Sequence, residues 1–387
     1  MKMKQAALAL LPFALSSTFL AAEKPEHDRA VPRIDHAFVI LMENHAYSQI
    51  LGNTNAPFIN SYGKSANLAT NYYAVGHPSL TNYLEIVGGS NFGIINDDSP
   101  DWHNTSCTPN IVSGIPADET ATTNTCPIKG AGWDAATPAV DTTNEGTPQE
   151  PVYNFPLSPA FTRGISIADQ LVEAGKSWKS YQENLPPYGA DGVNNSDGLV
   201  SDVTEKEPGM PKLYAVKHDP FAYFASVQSG EDRKLSLKQI VGFDRLWADL
   251  ERGDVPDLAF IAPNQCHDQH GRGTSEVGTG CSVDQNAIAQ GDAGLHTIID
   301  GIKNSRAWKH GNNVIVVVWD ENDYSSLPNQ VVTIVDTNYA PTGIQSNVRY
   351  NHFSLLKTLE AGFGLPYLNH AADQDVKLMG DLFTGQK

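Results

Sequence analysis

Three apolar runs along this chain end in the same way. Val314 to Trp319 and Ala37 to Met42 are each six apolar residues without interruption, and Asp257 to Asn264 carries a third such run at its centre. A strand with one wet face alternates apolar and polar positions, so unbroken runs predict strands covered on both faces. Each run then stops at polar residues: Asp320, Glu321 and Asp323 after the first, Glu43, Asn44 and His45 after the second, Asn264, His267, Asp268 and His270 after the third. In open α/β sheets the crevice beyond the carboxyl ends of the strands is where ligands bind, and all three clusters fall there.

Helical spacing fills the intervals. APFINSYGKSA reads as a short helix with Pro57 at its start, and SANLATNYYAV as a strand with polar breaks. After the Gly76 and Pro78 turn, Leu80, Tyr83, Leu84 and Val87 recur at helical spacing, which places Ser79 in a first helical turn. SIADQLVEAG reads as a helix, KSWKSYQEN as a strand, and HDPFAYFASV and LKQIVGFDRLWADLERG as helices, the second closing at Gly253. A long amphipathic helix covers DQNAIAQGDAGLHTIIDGIKNS, QVVTIVDT is a further strand, and a last helix begins near His352. Strands alternating with helices predict an α/β fold: a single large domain with a mostly parallel central sheet flanked by helices. Residues 90–162 are rich in Asn, Thr, Asp, Gly and Pro without period and read as a long loop insertion, and residues 189–210 also read as loop.

The N-terminus changes the compartment. Lys2 and Lys4 precede an apolar stretch broken by Pro12 and by Ser16, Ser17 and Thr18, with small residues at Ala21 and Ala22. The broken stretch is too short for a bilayer span and reads as a signal peptide over residues 1–22, leaving 23–387 as a secreted or periplasmic domain. No later segment is apolar enough to predict an integral membrane span. The four cysteines agree with export: Cys107 with Cys126 and Cys266 with Cys281 is the simplest of three pairings, and without a C-x-x-C element it is preferred to a zinc site. The formal net charge of −18, or −20 without Lys2 and Lys4, repels nucleic acid, so no nucleic-acid partner is expected. An anionic substrate then needs metal or well-placed cations, for which Lys64, Arg272 and Arg349 are the nearest in sequence.

Candidate chemistry follows from the rim. A serine at a helix start is most often only a cap, yet the same place, beside free amides and the positive dipole end, also suits a phosphoryl group. Glu43, Asn44, Asp320 and Glu321 supply hard oxygens, which suit magnesium, calcium or manganese, whereas the imidazoles of His267, His270 and His352 suit zinc or iron. A divalent metal ion would relieve the repulsion among the carboxylates and activate Ser79 as a nucleophile for attack on phosphorus.

The blocks FVILMENHAY, HPSLTNYLEIVGG, PNQCHDQHG, VVVWDEND and YNHFSLLKTLEAGFGLP, from about Asp35 to Leu368, resemble in order those of the phosphoesterase family of phospholipase C enzymes and secreted acid phosphatases. That family belongs to the alkaline phosphatase superfamily, so the resemblance implies an alkaline phosphatase-like sheet. It further implies one or two divalent metals held by Glu43, Asn44, Ser79, Asp320 and Glu321, with Ser79 as nucleophile. His77, His267, Asp268 and His352 are implied in catalysis, and Asn264 and His270 in substrate binding. Asp323 has no counterpart in the pattern and is expected behind the ligands or in solvent. Phospholipase C members tend to be longer, and the short form looks more like the acid phosphatases. The expected activity is therefore an exported, metal-dependent phosphomonoesterase with a phosphoseryl intermediate, acting on a small monoester or a phosphoinositide or phospholipid head group. A phospholipase C-type phosphodiesterase is the alternative, and a non-catalytic secreted metal-binding module is a third reading.

Overall fold

The Val314 to Trp319 run lies inside an eight-stranded sheet in the computed structural model, which describes residues 30–92, 94, 97, 99, 100, 128, 164–185, 190, 195–196, 213–271, 285–325 and 328–385. The signal peptide, nearly all of the 90–162 insertion, Arg272, Cys107, Cys126 and Cys281 lie outside the described residues. Cys266, the cysteine within them, is disulfide-bonded.

In chain order the strands are β1 (His36–Met42), β2 (Asn67–Ala69), β3 (Tyr72–Tyr73), β4 (Trp178–Gln182), β5 (Asn195–Ser196), β6 (Tyr214–Ala215), β7 (Ile240–Gly242), β8 (Leu258–Ala262), β9 (Asn313–Trp319), β10 (Thr333–Thr337), β11 (Gln345–Ser346) and β12 (Tyr350–Asn351). The α-helices are α1 (Tyr47–Ile50), α2 (Pro57–Ser65), α3 (Ser79–Gly88), α4 (Ile167–Glu173), α5 (Ala225–Ser229), α6 (Phe243–Arg252), α7 (Gln285–Asn304), α8 (His352–Phe363) and α9 (Gly380–Thr384). The large sheet has the order β11-β2-β10-β9-β1-β8-β4-β7. All its pairings are parallel except those of β10, which runs antiparallel to both β9 and β2.

Register brings the acids together. Met42 pairs with Trp319, so Glu43 and Asp320 leave the sheet side by side. Every residue of β9 is buried, as an apolar run inside a sheet covered on both faces requires. Burying each such Val or Ile contributes about 1.5–3 kcal/mol, so the strand that carries Asp320 is among the most firmly held parts of the fold.

Helix α3 is buried along its whole length and packs against α8. It stops at Gly89, whose φ of +70° is left-handed and whose site leaves no room for a side chain: a Cβ there would stand 2.5 Å from the Leu368 carbonyl oxygen. Helix α8 is capped by Asn351, whose side chain accepts from the Ser354 N–H at 3.1 Å, and it closes at Gly364.

Three sequence expectations are corrected. SANLATNYYAV forms two strands, because Thr70 turns to donate to the Ser346 carbonyl; β2 then joins the main sheet and β3 pairs with β12. LKQIVGFDRLWADLERG is α-helical only from Phe243: Leu237–Gln239 is a 3₁₀ turn, and Ile240–Gly242 takes up the open edge of β4 as a three-residue strand too short to show a period. HDPFAYFASV is not one helix: it runs from the end of the 3₁₀ turn Val216–His218 through a second, Pro220–Tyr223, into the short α5, and Pro220 lacks the N–H a continuous helix would use.

Candidate active site

Ser79 is the first residue of α3, and the N-cap is Pro78, so the serine hydroxyl is not spent on capping. Its Oγ stands 3.1 Å from Glu43 Oε2 and 3.2 Å from Glu321 Oε1, and its single proton can be given to either. Glu43 follows β1 and Glu321 lies one residue beyond Asp320 after β9, so two neighbouring strands and a helix end converge on one hydroxyl. Asn44 donates its backbone N–H to Asp320 Oδ1 at 3.1 Å, which ties the two strand ends together. A cavity of about 570 Å³ opens over this point, lined by Asn44, Pro78, Ser79, Asp97, Lys217, His270, Glu321 and Tyr324.

The carboxylates are held by a buried polar network. Glu43 Oε1 accepts from the Tyr83 hydroxyl at 2.8 Å and lies 3.0 Å from His218 Nε2, and the other nitrogen of His218 lies 3.3 Å from Asp268 Oδ2. Glu321 Oε2 meets His77 Nδ1 at 2.7 Å and accepts from Asn82 at 3.2 Å. His77 in turn stacks on Tyr324, with ring centroids 3.9 Å apart. Burial pushes Glu43 up to about 7, with Lys217 opposing and Glu321 adding to the rise. Burial likewise lifts Asp320 and Asp268 well above the usual carboxylate range, with the charge of Glu43 as the next cause for both.

Among the described residues Lys217 is the cation lining this cavity, and its Nζ lies 3.4 Å from Ser79 Oγ and 3.0 Å from Asp97 Oδ2. Burial works against its charge, but Asp97 and Glu43 outweigh burial and raise its pKa. The arginine and lysine expected from sequence proximity are elsewhere: Lys64 is exposed on α2, and Arg349 covers the Tyr73 ring.

The structure gathers Glu43, Asn44, Ser79, His77, Asp268, His270, Asp320 and Glu321 around this point. His352 lies beneath it: its Nε2 donates to the Asp320 backbone carbonyl at 2.6 Å, and its Nδ1 accepts from the Tyr72 hydroxyl at 3.1 Å. His267 and Asn264 are not brought to this cavity. His267 pairs with Glu183 at 2.9 Å beside a separate cavity of about 240 Å³ that also holds Trp247. The Asn264 side chain closes the turn, accepting from the N–H groups of Cys266 and His267 and donating to Asn184. Asp323 is not in the cavity lining and accepts from Gln49 at 2.6 Å.

Sequence reasoning missed Lys217, His218, Asn82, Tyr83 and Asp97. Asn82 and Tyr83 were within reach of it, because residues three and four after Ser79 share its face of a helix.

The donor set suits a hard divalent cation, being Glu43, Asn44, Ser79, Asp320 and Glu321. One buried carboxylate oxygen, Asp320 Oδ2, has no hydrogen-bond partner, and several carboxylates crowd one water-poor place. A cation answers both conditions. Among the described residues no group of three His, Cys, Asp or Glu side chains is already drawn into a coordination cage; here the Ser79 hydroxyl spans Glu43 and Glu321.

A sequence model of the Phosphoesterase family matches residues 53–366 of this chain. A phosphatidylinositol-3-phosphatase of Mycobacterium tuberculosis is 26% identical over 345 residues, covering 89% of this chain and 82% of its own. An acid phosphatase of Aspergillus fumigatus is 25% identical over 336 residues, covering 86% of this chain; the match spans only 55% of that protein's length. Among solved structures, a Vibrio parahaemolyticus protein in the alkaline phosphatase superfamily superposes with a TM-score of 0.44 at 15% identity, over 87% of this chain and 68% of that one.

Proposed function

The chain belongs to the Phosphoesterase family and is a phosphoric ester hydrolase, and on that premise we propose that it is an exported, metal-dependent phosphomonoesterase using Ser79 as its nucleophile. The observation that carries this reading is the Ser79 hydroxyl at the start of α3, between Glu43 and Glu321 and 3.4 Å from Lys217 on the cavity wall. Export is supported by the residue pattern of 1–22 and by the disulfide at Cys266.

The chain's own groups divide the work. Glu43 or Glu321 accepts the single Ser79 proton as the serine oxygen attacks. Lys217 and the first-turn amides of α3 bind phosphoryl oxygens, where a helix N-terminus favours negative charge. Ser79 Oγ bonds to phosphorus as the ester P–O bond breaks, and His270 on the cavity wall gives the leaving oxygen its proton. Water, giving a proton back to His270, then attacks the phosphoserine; phosphate leaves and the Ser79 oxygen recovers its proton from the carboxylate. Superfamily enzymes are generally metal-dependent, and a divalent ion held by Glu43, Asn44, Asp320 and Glu321 would lower the Ser79 pKa and neutralise phosphoryl charge.

The names of the relatives favour monoesters, and the mycobacterial relative extends the substrate class to a phosphorylated inositol head group. Hydrolysis of p-nitrophenyl phosphate and of phosphatidylinositol 3-phosphate by wild type and Ser79→Ala tests the reading. Loss of both activities in the variant is expected, and wild-type turnover in Ser79→Ala would remove the nucleophile assignment.

A further inference from the structure

The groups that a phosphoryl substrate needs are already engaged by a carboxylate of the chain itself. Asp97 Oδ1 accepts from the Leu80 backbone N–H in the first turn of α3 at 3.0 Å, and Asp97 Oδ2 meets Lys217 Nζ at 3.0 Å. Asp97 lines the same cavity as Ser79, Lys217 and His270, and its side chain is one-third exposed. Lys217 Nζ also reaches Ser79 Oγ at 3.4 Å, so Asp97 is bound where the nucleophile would meet phosphorus.

A helix-end amide and an ammonium are the pair of donors that suits a tetrahedral oxyanion. A carboxylate held by both imitates part of such an anion. Capping α3 or steadying Lys217 could be done from outside the cavity, whereas Asp97 holds both donors on the cavity wall beside Ser79.

We propose that Asp97 is a specificity-determining internal competitor: substrate or product phosphate binds by taking over the Leu80 N–H and Lys217 from it. This inference rests on the reading of the cavity as the phosphoester site. Its consequence is a deliberately modest affinity for free phosphate, which favours release of the product after each turnover.

Asp97→Asn keeps the shape and an acceptor for Leu80 but removes the charge, and Asp97→Ala removes both. Orthophosphate binding to the purified full chain, measured by calorimetry and as competitive inhibition of p-nitrophenyl phosphate hydrolysis, reads the effect. Both variants should bind orthophosphate about tenfold more tightly, the order expected when one like charge leaves a partly solvated anion site. KM should fall in step, with kcat changing less than KM. Unchanged, weaker or undetectable phosphate binding in both variants would overturn the inference and leave Asp97 as a group that positions Lys217. Ser79→Ala assayed alongside separates the two ideas. Full hydrolysis by Ser79→Ala defeats the nucleophile reading, whereas an inactive Ser79→Ala with Asp97 variants that do not tighten defeats only the inference about Asp97.

Discussion

The ammonium of Lys217 stands 3.4 Å from the hydroxyl of Ser79, although 138 residues separate them in the chain. The contact arises because the 3₁₀ turn Val216–His218 packs against α3. It gives an otherwise acidic cavity a fixed positive charge beside the proposed nucleophile.

Removing that charge should be felt in the transition state more than in the fold. Lys217→Met is expected to lower kcat/KM for p-nitrophenyl phosphate by about 10²–10³-fold, the scale of losing one preorganised electrostatic group. Lys217→Arg should retain part of the activity. A Lys217→Met enzyme within about threefold of wild type would show that Lys217 does not bind the reacting phosphoryl group.

The pair formed by His77 and Glu321 is closed off from water, with side chains 3% and 2% exposed and 2.7 Å between them. Truncating one partner strands the other, so His77→Ala should lower the unfolding free energy by about 3 kcal/mol. Urea denaturation in chelator checks this, and a loss below about 1 kcal/mol would mean that Glu321 does not depend on His77.

Buried Asp219 gives stability a pH slope. Burial raises it from 3.8 to about 7, against the lowering effect of its hydrogen bond from Ser180. Between those values the folded chain keeps a proton that the unfolded chain has lost, so this group's contribution to stability falls as pH rises through the window. His352 acts in the opposite sense: burial lowers it from 6.5 to about 4, so its contribution is lost as pH falls from 6.5 toward 4. Asp219→Asn removes the first effect only. Its melting temperature should therefore gain on wild type as pH rises from 4.5 to 7, and parallel curves for the two proteins would contradict the assignment.

Metal removal tests the acid cluster. Exhaustive chelation should abolish ester hydrolysis, and a panel of magnesium, calcium, manganese, zinc and iron should identify the ion that restores it. Elemental analysis of Asp320→Asn should show that ion reduced relative to wild type, because among the carboxylate oxygens of Glu43, Asp320 and Glu321 it is Asp320 Oδ2 that has no hydrogen-bond partner. Full activity in the metal-free protein would rule out the proposed dependence.

The rim of the site was legible in the sequence for a simple reason. In strands buried on both faces the first polar residue marks the point of exit, and parallel register then sets Glu43 beside Asp320. Helical spacing was enough to put Ser79 in a first turn, but not to tell that Pro78 would be the N-cap and leave the hydroxyl unspent. Lys217 and His218 were illegible because a 3₁₀ turn ahead of Pro220 has no period, and only tertiary packing carries it to α3. Nearness in sequence does not place the histidines of one loop together. With Gln269 between them at a φ of +83°, His267 and His270 line different cavities.

The central claim is that Ser79 carries the phosphoryl group. Acid quenching during turnover of a phosphomonoester, followed by peptide mass spectrometry, looks for that group directly. Phosphate on the Ser79 peptide of the wild-type enzyme, absent in Ser79→Ala together with turnover, is the result expected. An unmodified Ser79 in a rapidly turning-over enzyme, with Ser79→Ala equally active, would contradict it.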